Sequence, residues 1–257
     1  MDIWKFYAVT HGEHAICNPT SREKLERLVA LLRLPAGSAA VDIASGKGEL
    51  LIRLAETYGI SGLGIDISPY FVRDARARLE ARVPRSAVVF REMDGATFVP
   101  DEPGSFAFAS CLGASWVFGG HGGTLDALAG FVAPGGWVVV GEPFWLREPA
   151  QEYLGEVGLA RTSFGTHAEN VAAGEQRGLE LAYTLVSNTD DWDQYEGLQW
   201  YAALTYARSH PADPDVPEIA QRIAKERRAY LQWGRETLGW AMYAFRQPIS
   251  APDTPAA

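Results

Sequence analysis

VDIASGKGELL, residues 41–51, decides how the chain folds. Ala39, Ala40, Val41 and Ile43 read as a buried strand that carries one carboxylate, Asp42. Ala44, Ser45, Gly46 and Gly48 supply small side chains for a tight turn, and Leu50, Leu51, Leu54 and Ala55 begin a helical apolar pattern. Strand, turn and helix N-terminus form a cradle: backbone N–H groups are free there, and small residues let a ligand come close. Twenty-four positions after Asp42, the run 62–65 ends in Asp66, an acid placed to accept hydrogen bonds from ribose hydroxyls. The pattern implies an α/β fold that binds a nucleotide-type cofactor. Taken alone, a G-x-G turn is also no more than a tight strand–helix connection.

Outward from this stretch the chain alternates. Thr20-Ser-Arg-Glu23 reads as a capping box opening a helix with Leu25, Leu28, Val29 and Leu32 on its apolar face. Strand 39–43, helix 48–58, strand 62–66 and helix 69–82 follow, the last capped by Ser68 with Pro69 in its first turn. Strands at 86–91 and 105–111, a helix at 123–132 and a strand at 136–141 continue an alternation that implies a parallel sheet. After Glu142 the rhythm breaks. A loop with Pro143 and Pro149 leads to a helix near 166–177 and a strand at 179–187. Two helices at about 192–208 and 217–234 precede an aromatic strand at 240–245, and the tail 250–257 reads as frayed.

Composition narrows the classes. With 257 residues and 47% hydrophobic content, the chain suffices for one elaborated α/β domain. A net charge of −9 disfavours a nucleic-acid partner, which needs a clustered basic surface. No apolar stretch approaches membrane-spanning length, so no membrane partner is expected. Cys17 and Cys111 make no framework of paired cysteines, which points to a reducing cytoplasm.

A glycine turn followed by an acid also occurs in nicotinamide-binding folds. Their G-x-G-x-x-G fingerprint would place a third glycine at position 51, which is Leu51. The stretch instead resembles acid-x-G-x-G-x-G, the first motif of class I S-adenosylmethionine-dependent methyltransferases. Asp42, Gly46 and Gly48 match, while Ala44 stands where the family has its first glycine and adds a methyl group beside the ligand. Further motifs follow in order: Gly64-Ile-Asp66-Ile-Ser68, Glu92-Met-Asp94-Gly-Ala96, Cys111-Leu-Gly113-Ala114 and Ala133-Pro134-Gly135-Gly136. The fourth strand lacks the acid often found near its beginning and carries Phe106-Ala107-Phe108. Gly12-Glu13-His14 and Gly141-Glu-Pro-Phe-Trp145 resemble a bacterial branch of small-molecule methyltransferases.

The resemblance implies a Rossmann-like sheet of seven mostly parallel strands with the last antiparallel, plus a helical lid insertion. It divides one domain into an N-terminal helical cap (1–37), a cofactor-binding core (38–142) and a C-terminal half (143–247) with a substrate lid at about 190–235. S-adenosylmethionine is the implied cofactor. Asp42, Ala44, Ser45, Gly46 and Gly48 would cradle its amino-acid end, and Asp66 with Ile67 its ribose. Met93, Asp94 and Gly95 would surround the adenine, with Cys111, Leu112 and Gly113 near the reacting methyl group.

Transfer from a sulfonium needs no metal, only an aligned acceptor, exclusion of water and a base where the acceptor is protonated. The candidate bases are His14, Glu142 and His121. His11 and His14 stand three apart without a third ligand nearby, so no metal is expected. Trp192, Tyr195, Glu196, Gln199 and Trp200 share one helix face whose mixed polarity suits a partly wet pocket. Phe144 and Trp145 would face the same space. The acceptor would be a small molecule, and the atom methylated (N, O, S or C) is left open. Two other readings stay open here: an NAD(P)-dependent oxidoreductase with a similar cradle, and a noncatalytic S-adenosylmethionine-binding protein.

Overall fold

Residues 1–249 are described by a computed structural model of the chain; the tail at 250–257, read above as frayed, lies outside them. The segment quoted first forms β1 (Ala39–Ile43) and α3 (Glu49–Tyr58). Val41 and Ile43 of this strand, and Leu51 and Leu54 of the helix, are fully buried. Around them lie β2 (Ser61–Asp66), α4 (Pro69–Arg82), β3 (Ala87–Glu92), β4 (Phe106–Leu112), α5 (His121–Phe131) and β5 (Val132–Trp145). The seven strands lie in the order β3-β2-β1-β4-β5-β7-β6, with β6 at Glu180–Val186 and β7 at Leu238–Arg246. Strands β1 to β5 pair in parallel, and β7 runs antiparallel to both β5 and β6. This is the expected Rossmann-like sheet with its last strand reversed.

Helices cover both faces. Leu25, Leu28 and Leu32 of α2 (Arg22–Leu32) share one apolar cluster with α3 and with Val72 and Ala75 of α4. Leu125 and Leu128 of α5 pack with Val138 and Val140 on the other face, joined by Val171 of α7 (His167–Glu175). A third unit caps the edge at which the parallel strands end. It consists of α1 (Ile3–Thr10) and the pair α8 (Thr189–Ser209) and α9 (Val216–Ala229), inserted between β6 and β7. Phe6, Ala203, Ile219 and Ile223 form its own small core, with the Arg222 guanidinium 3.9 Å above the Phe6 ring. Among the described residues no helix is long and apolar enough to cross a membrane.

Several local expectations are corrected. The cap of α2 is Ser21, whose Oγ accepts from the Lys24 N–H at 3.2 Å, rather than Thr20. β5 runs from Val132 to Trp145 and absorbs both the Pro-Gly-Gly turn and Phe144-Trp145, because β7 pairs with it along 137–145. α5 starts at His121 rather than 123, after Gly120 turns the chain at φ 112°. α1 falls within the expected N-terminal helical cap, where the sequence reading gave it no bounds, and the short helix α6 (Gln151–Val157) had no counterpart.

Candidate cofactor and acceptor site

A cavity of about 690 Å³ opens where β1, β2 and β4 end. Residues 44–47 of the turn line it. Ala44 (φ 54°), Gly46 (φ 55°) and Gly48 (φ 75°) all adopt the left-handed conformation, so Ala44 holds a backbone geometry that favours glycine. The two glycines have different reasons. A Cβ on Gly46 would meet only Cys17, at 3.8 Å, so the protein leaves this side of the turn open. A Cβ on Gly48 would stand 2.3 Å from the Phe90 ring; this glycine lets α3 pack onto the sheet and does not line the cavity.

Four acidic residues line the cavity, and one of them, Glu49, is engaged by Arg53, Arg78 and Arg82. Asp66, at the tip of β2, accepts from the Gly46 N–H at 2.8 Å and from the Ser68 N–H at 2.8 Å. A carboxylate has about four lone-pair sites, so acceptor capacity remains. Asp42 accepts from Ser110 Oγ at 2.6 Å, and burial pushes its pKa up to about 7. Asp94 is exposed and caps the turn that follows by accepting from the Ala96 N–H at 3.0 Å. Ser45 Oγ is buried without a partner. Ala44, Ile67, Gly95, Leu112 and Gly113 line the same cavity. Met93 packs under it in the α5-side core, and Cys111 is fully buried in that core with its thiol pKa raised by burial.

The N-terminal segment closes one side. Lys47, from the glycine turn, sends its amine to the carbonyls of His11 (2.6 Å) and Gly12 (3.3 Å), and Arg78 donates to the Ala15 carbonyl at 3.1 Å. These bonds hold Trp4, Tyr7, His11 and Cys17 against the cavity opposite β2. From the helical pair inserted between β6 and β7, α8 contributes Tyr195, whose hydroxyl lies 3.0 Å from His11 Nε2. Sequence reading missed Trp4, Tyr7, Lys47 and the exposed Trp116 as lining groups, and weighed His11 only as a metal ligand. A helical apolar spacing at Ile3, Phe6, Tyr7 and Thr10, begun by Asp2 as N-cap, was the available signal.

The candidate bases separate. His14 lies behind this wall in a second cavity of about 350 Å³, with Nε2 2.9 Å from the Tyr195 carbonyl and Nδ1 unpartnered. Burial lowers its pKa to about 4. Glu142 points to the α5 side of the sheet, where Ser115 Oγ donates to Oε1 at 3.0 Å and burial lifts its pKa to about 7. His121 begins α5 with Nε2 2.9 Å from the Asn170 carbonyl, so it does not sit on a loop at the cavity. None of the three lines the cavity.

Of the proposed substrate contacts the structure brings only Tyr195 there. Phe144 is buried in the α5-side core, and the Trp145 indole donates to the Arg161 carbonyl at 2.9 Å. Trp192 and Trp200 pack on Tyr230, and Glu196 sits beyond them with its pKa raised to about 7 by burial and by the Glu226 carboxylate. That helix face is therefore occupied by packing against the chain that follows α9.

Comparison with known proteins agrees with this geometry. Residues 40–136 match the family described as "Methyltransferase domain". The Escherichia coli (strain K12) protein YjhP is 32% identical over 246 residues, 95% of this chain and 98% of its own. A SAM-dependent methyltransferase from Geobacter sulfurreducens, solved in complex with S-adenosyl-L-homocysteine, superimposes with a TM-score of 0.88 at 32% identity, covering 95% of this chain and 98% of that one. A trans-aconitate 2-methyltransferase from Methylobacterium nodulans matches in part, 32% identical over 131 residues, 51% of this chain and 48% of its own. Motif order, sheet topology and these full-length likenesses agree: the chain belongs to the class I S-adenosylmethionine-dependent methyltransferases.

Proposed function

We propose that this enzyme methylates a small-molecule acceptor, with cofactor and acceptor held at two ends of one cavity. The observation that carries the reading is continuity: one space of about 690 Å³ touches the glycine turn and Asp66 and also Tyr7, His11 and Tyr195. The turn fits the cofactor, because a side chain at Gly46 would meet nothing nearer than Cys17, at 3.8 Å, and a ligand can come close to the backbone there. When bound, S-adenosylmethionine supplies an activated methyl group. Asp66 would accept from the ribose hydroxyls with the lone pairs that Gly46 and Ser68 leave free. Asp94 would meet the adenine, and Asp42 the cationic amino-acid end. Bringing such a cation beside Asp42 favours its charged form, against the burial that now raises its pKa. The N-terminal segment, tied down by Lys47 and Arg78, excludes water from the side of the turn.

Thermal unfolding with four ligands tests the reading. S-adenosylmethionine and S-adenosylhomocysteine should raise the melting temperature in proportion to the logarithm of concentration, and NAD and NADP should not. A shift with NAD and none with S-adenosylhomocysteine would overturn it.

A further inference from the structure

Across from the carboxylates, on the side closed by the N-terminal segment, α4 and α8, five rings line the cavity: Trp4, Tyr7, His11, Phe71 and Tyr195. Lys47 is the one Lys or Arg lining it among the described residues. Its amine is already engaged by the His11 and Gly12 carbonyls and stands 3.8 Å from Asp74. An anionic acceptor would find no free counter-charge there. An uncharged ring would find flat apolar walls.

One polar pair interrupts these walls, and its hydrogens can be assigned. His11 Nδ1 lies 3.2 Å from both the Tyr7 carbonyl, which only accepts, and the Thr10 hydroxyl, which accepts or donates; a hydrogen on Nδ1 suits both neighbours, whereas a bare Nδ1 would set its lone pair against the carbonyl, so Nδ1 carries the hydrogen. Burial, with Lys47 and the His14 ring nearby, lowers the His11 pKa to about 3, so the imidazole is neutral and Nε2 is bare. Tyr195 must then donate its hydroxyl hydrogen to Nε2 across the 3.0 Å contact. With that hydrogen spent, the Tyr195 oxygen has only lone pairs to offer the cavity. A ligand that pairs with it must bring a donor.

We infer that the Tyr195–His11 pair selects an uncharged aromatic acceptor by a hydroxyl on its ring and takes up the proton that this hydroxyl loses. The inference rests on the cofactor end being at the glycine turn. An oxygen lone pair would form the bond to the methyl carbon as the methyl–sulfur bond breaks and leaves its electron pair on sulfur, giving the thioether S-adenosylhomocysteine, while the acceptor O–H bond breaks with its pair staying on oxygen. The released proton joins Tyr195 Oη while the proton of Tyr195 moves to His11 Nε2. A hydroxyl oxygen that is being alkylated becomes strongly acidic, so a weakly basic imidazole suffices as the sink. The same burial makes the imidazolium return its proton to water readily, which resets the pair.

The experiment uses the full-length enzyme saturated with S-adenosylhomocysteine and titrated calorimetrically with three probes: 2-naphthol, its ether 2-methoxynaphthalene, and trans-aconitate. The wild type should bind 2-naphthol about tenfold more tightly than the ether, the scale of one good hydrogen bond. Tyr195→Phe should erase that preference and leave S-adenosylhomocysteine affinity within about twofold. In the ligand-free protein, imidazole ¹⁵N shifts should report the Nδ1–H tautomer of His11 at pH 7, with Nε2 moving in Tyr195→Phe. Three results would overturn the inference: no preference for the hydroxyl (including no binding of either naphthyl probe), a preference that survives Tyr195→Phe, or tighter binding of trans-aconitate. The opposite tautomer or an imidazolium at pH 7 would also overturn it. Failure of S-adenosylhomocysteine to bind the wild type would instead defeat the cofactor assignment.

Discussion

Gly46 and Gly48 stand two residues apart with similar backbone angles, yet they answer to different neighbours. Gly46 faces the cavity and Gly48 faces Phe90. Gly46→Ala should therefore cost about 1 kcal/mol of stability from its positive φ and weaken S-adenosylhomocysteine binding by about tenfold or more. Gly48→Ala should do the reverse, with a stability loss of about 2–4 kcal/mol from overpacking and strain and a smaller change in affinity. Chemical denaturation and calorimetry on both variants check this; equal effects on binding would show that the turn presents both glycines to the ligand. The motif in the sequence marked both positions, because spacing records that a side chain is excluded and not what excludes it. The same limit hid His11. His11 and His14 lie on one turn after α1, and only the approach of Tyr195 from residue 195 decides which ring meets the cavity.

α8 shows how an element can be legible while its role is not. Its Asn188 cap, with Asp191 three residues on, and its aromatic spacing announce the helix from Thr189 to Ser209. The mixed polarity of its face suggested a substrate pocket, but Trp192 and Trp200 meet Tyr230, and a helix face alone cannot say whether a ligand or another element covers it. Glu196 lies in this packing with its pKa raised to about 7 from an ordinary 4.5. The folded state keeps the proton to about pH 7, whereas the unfolded chain releases it near pH 4.5. The stabilisation is full below about pH 4.5 and is lost as pH rises through about 7. Glu196→Gln lacks that loss, so its melting temperature should climb relative to wild type from about pH 5 to about pH 8 and then level off. A difference independent of pH would mean that Glu196 is solvated and ionised throughout.

At the scale of the whole molecule, the alternation up to Glu142 and the ordered motifs made the sheet readable, since parallel strands need crossover connections, and all of these up to β5 except that from β3 to β4 carry an α-helix. Long-range assembly was not readable in that way. The Lys47 bonds to His11 and Gly12, and the Lys5 contacts with Asp213 (2.8 Å) and Asp215 (2.6 Å), join segments remote in sequence. They draw α1, the glycine turn and the α8–α9 unit around one space, and that enclosure puts a cofactor end and an acceptor end in a single cavity. A crystal structure of the enzyme with S-adenosylhomocysteine tests this most directly. The account predicts ribose hydroxyls on Asp66, adenine beside Asp94, sulfur toward Leu112 and Gly113, and open space left between that sulfur and the Tyr195–His11 pair. A product molecule bound outside the turn, or one whose sulfur is walled off from Tyr195 and His11, would contradict it.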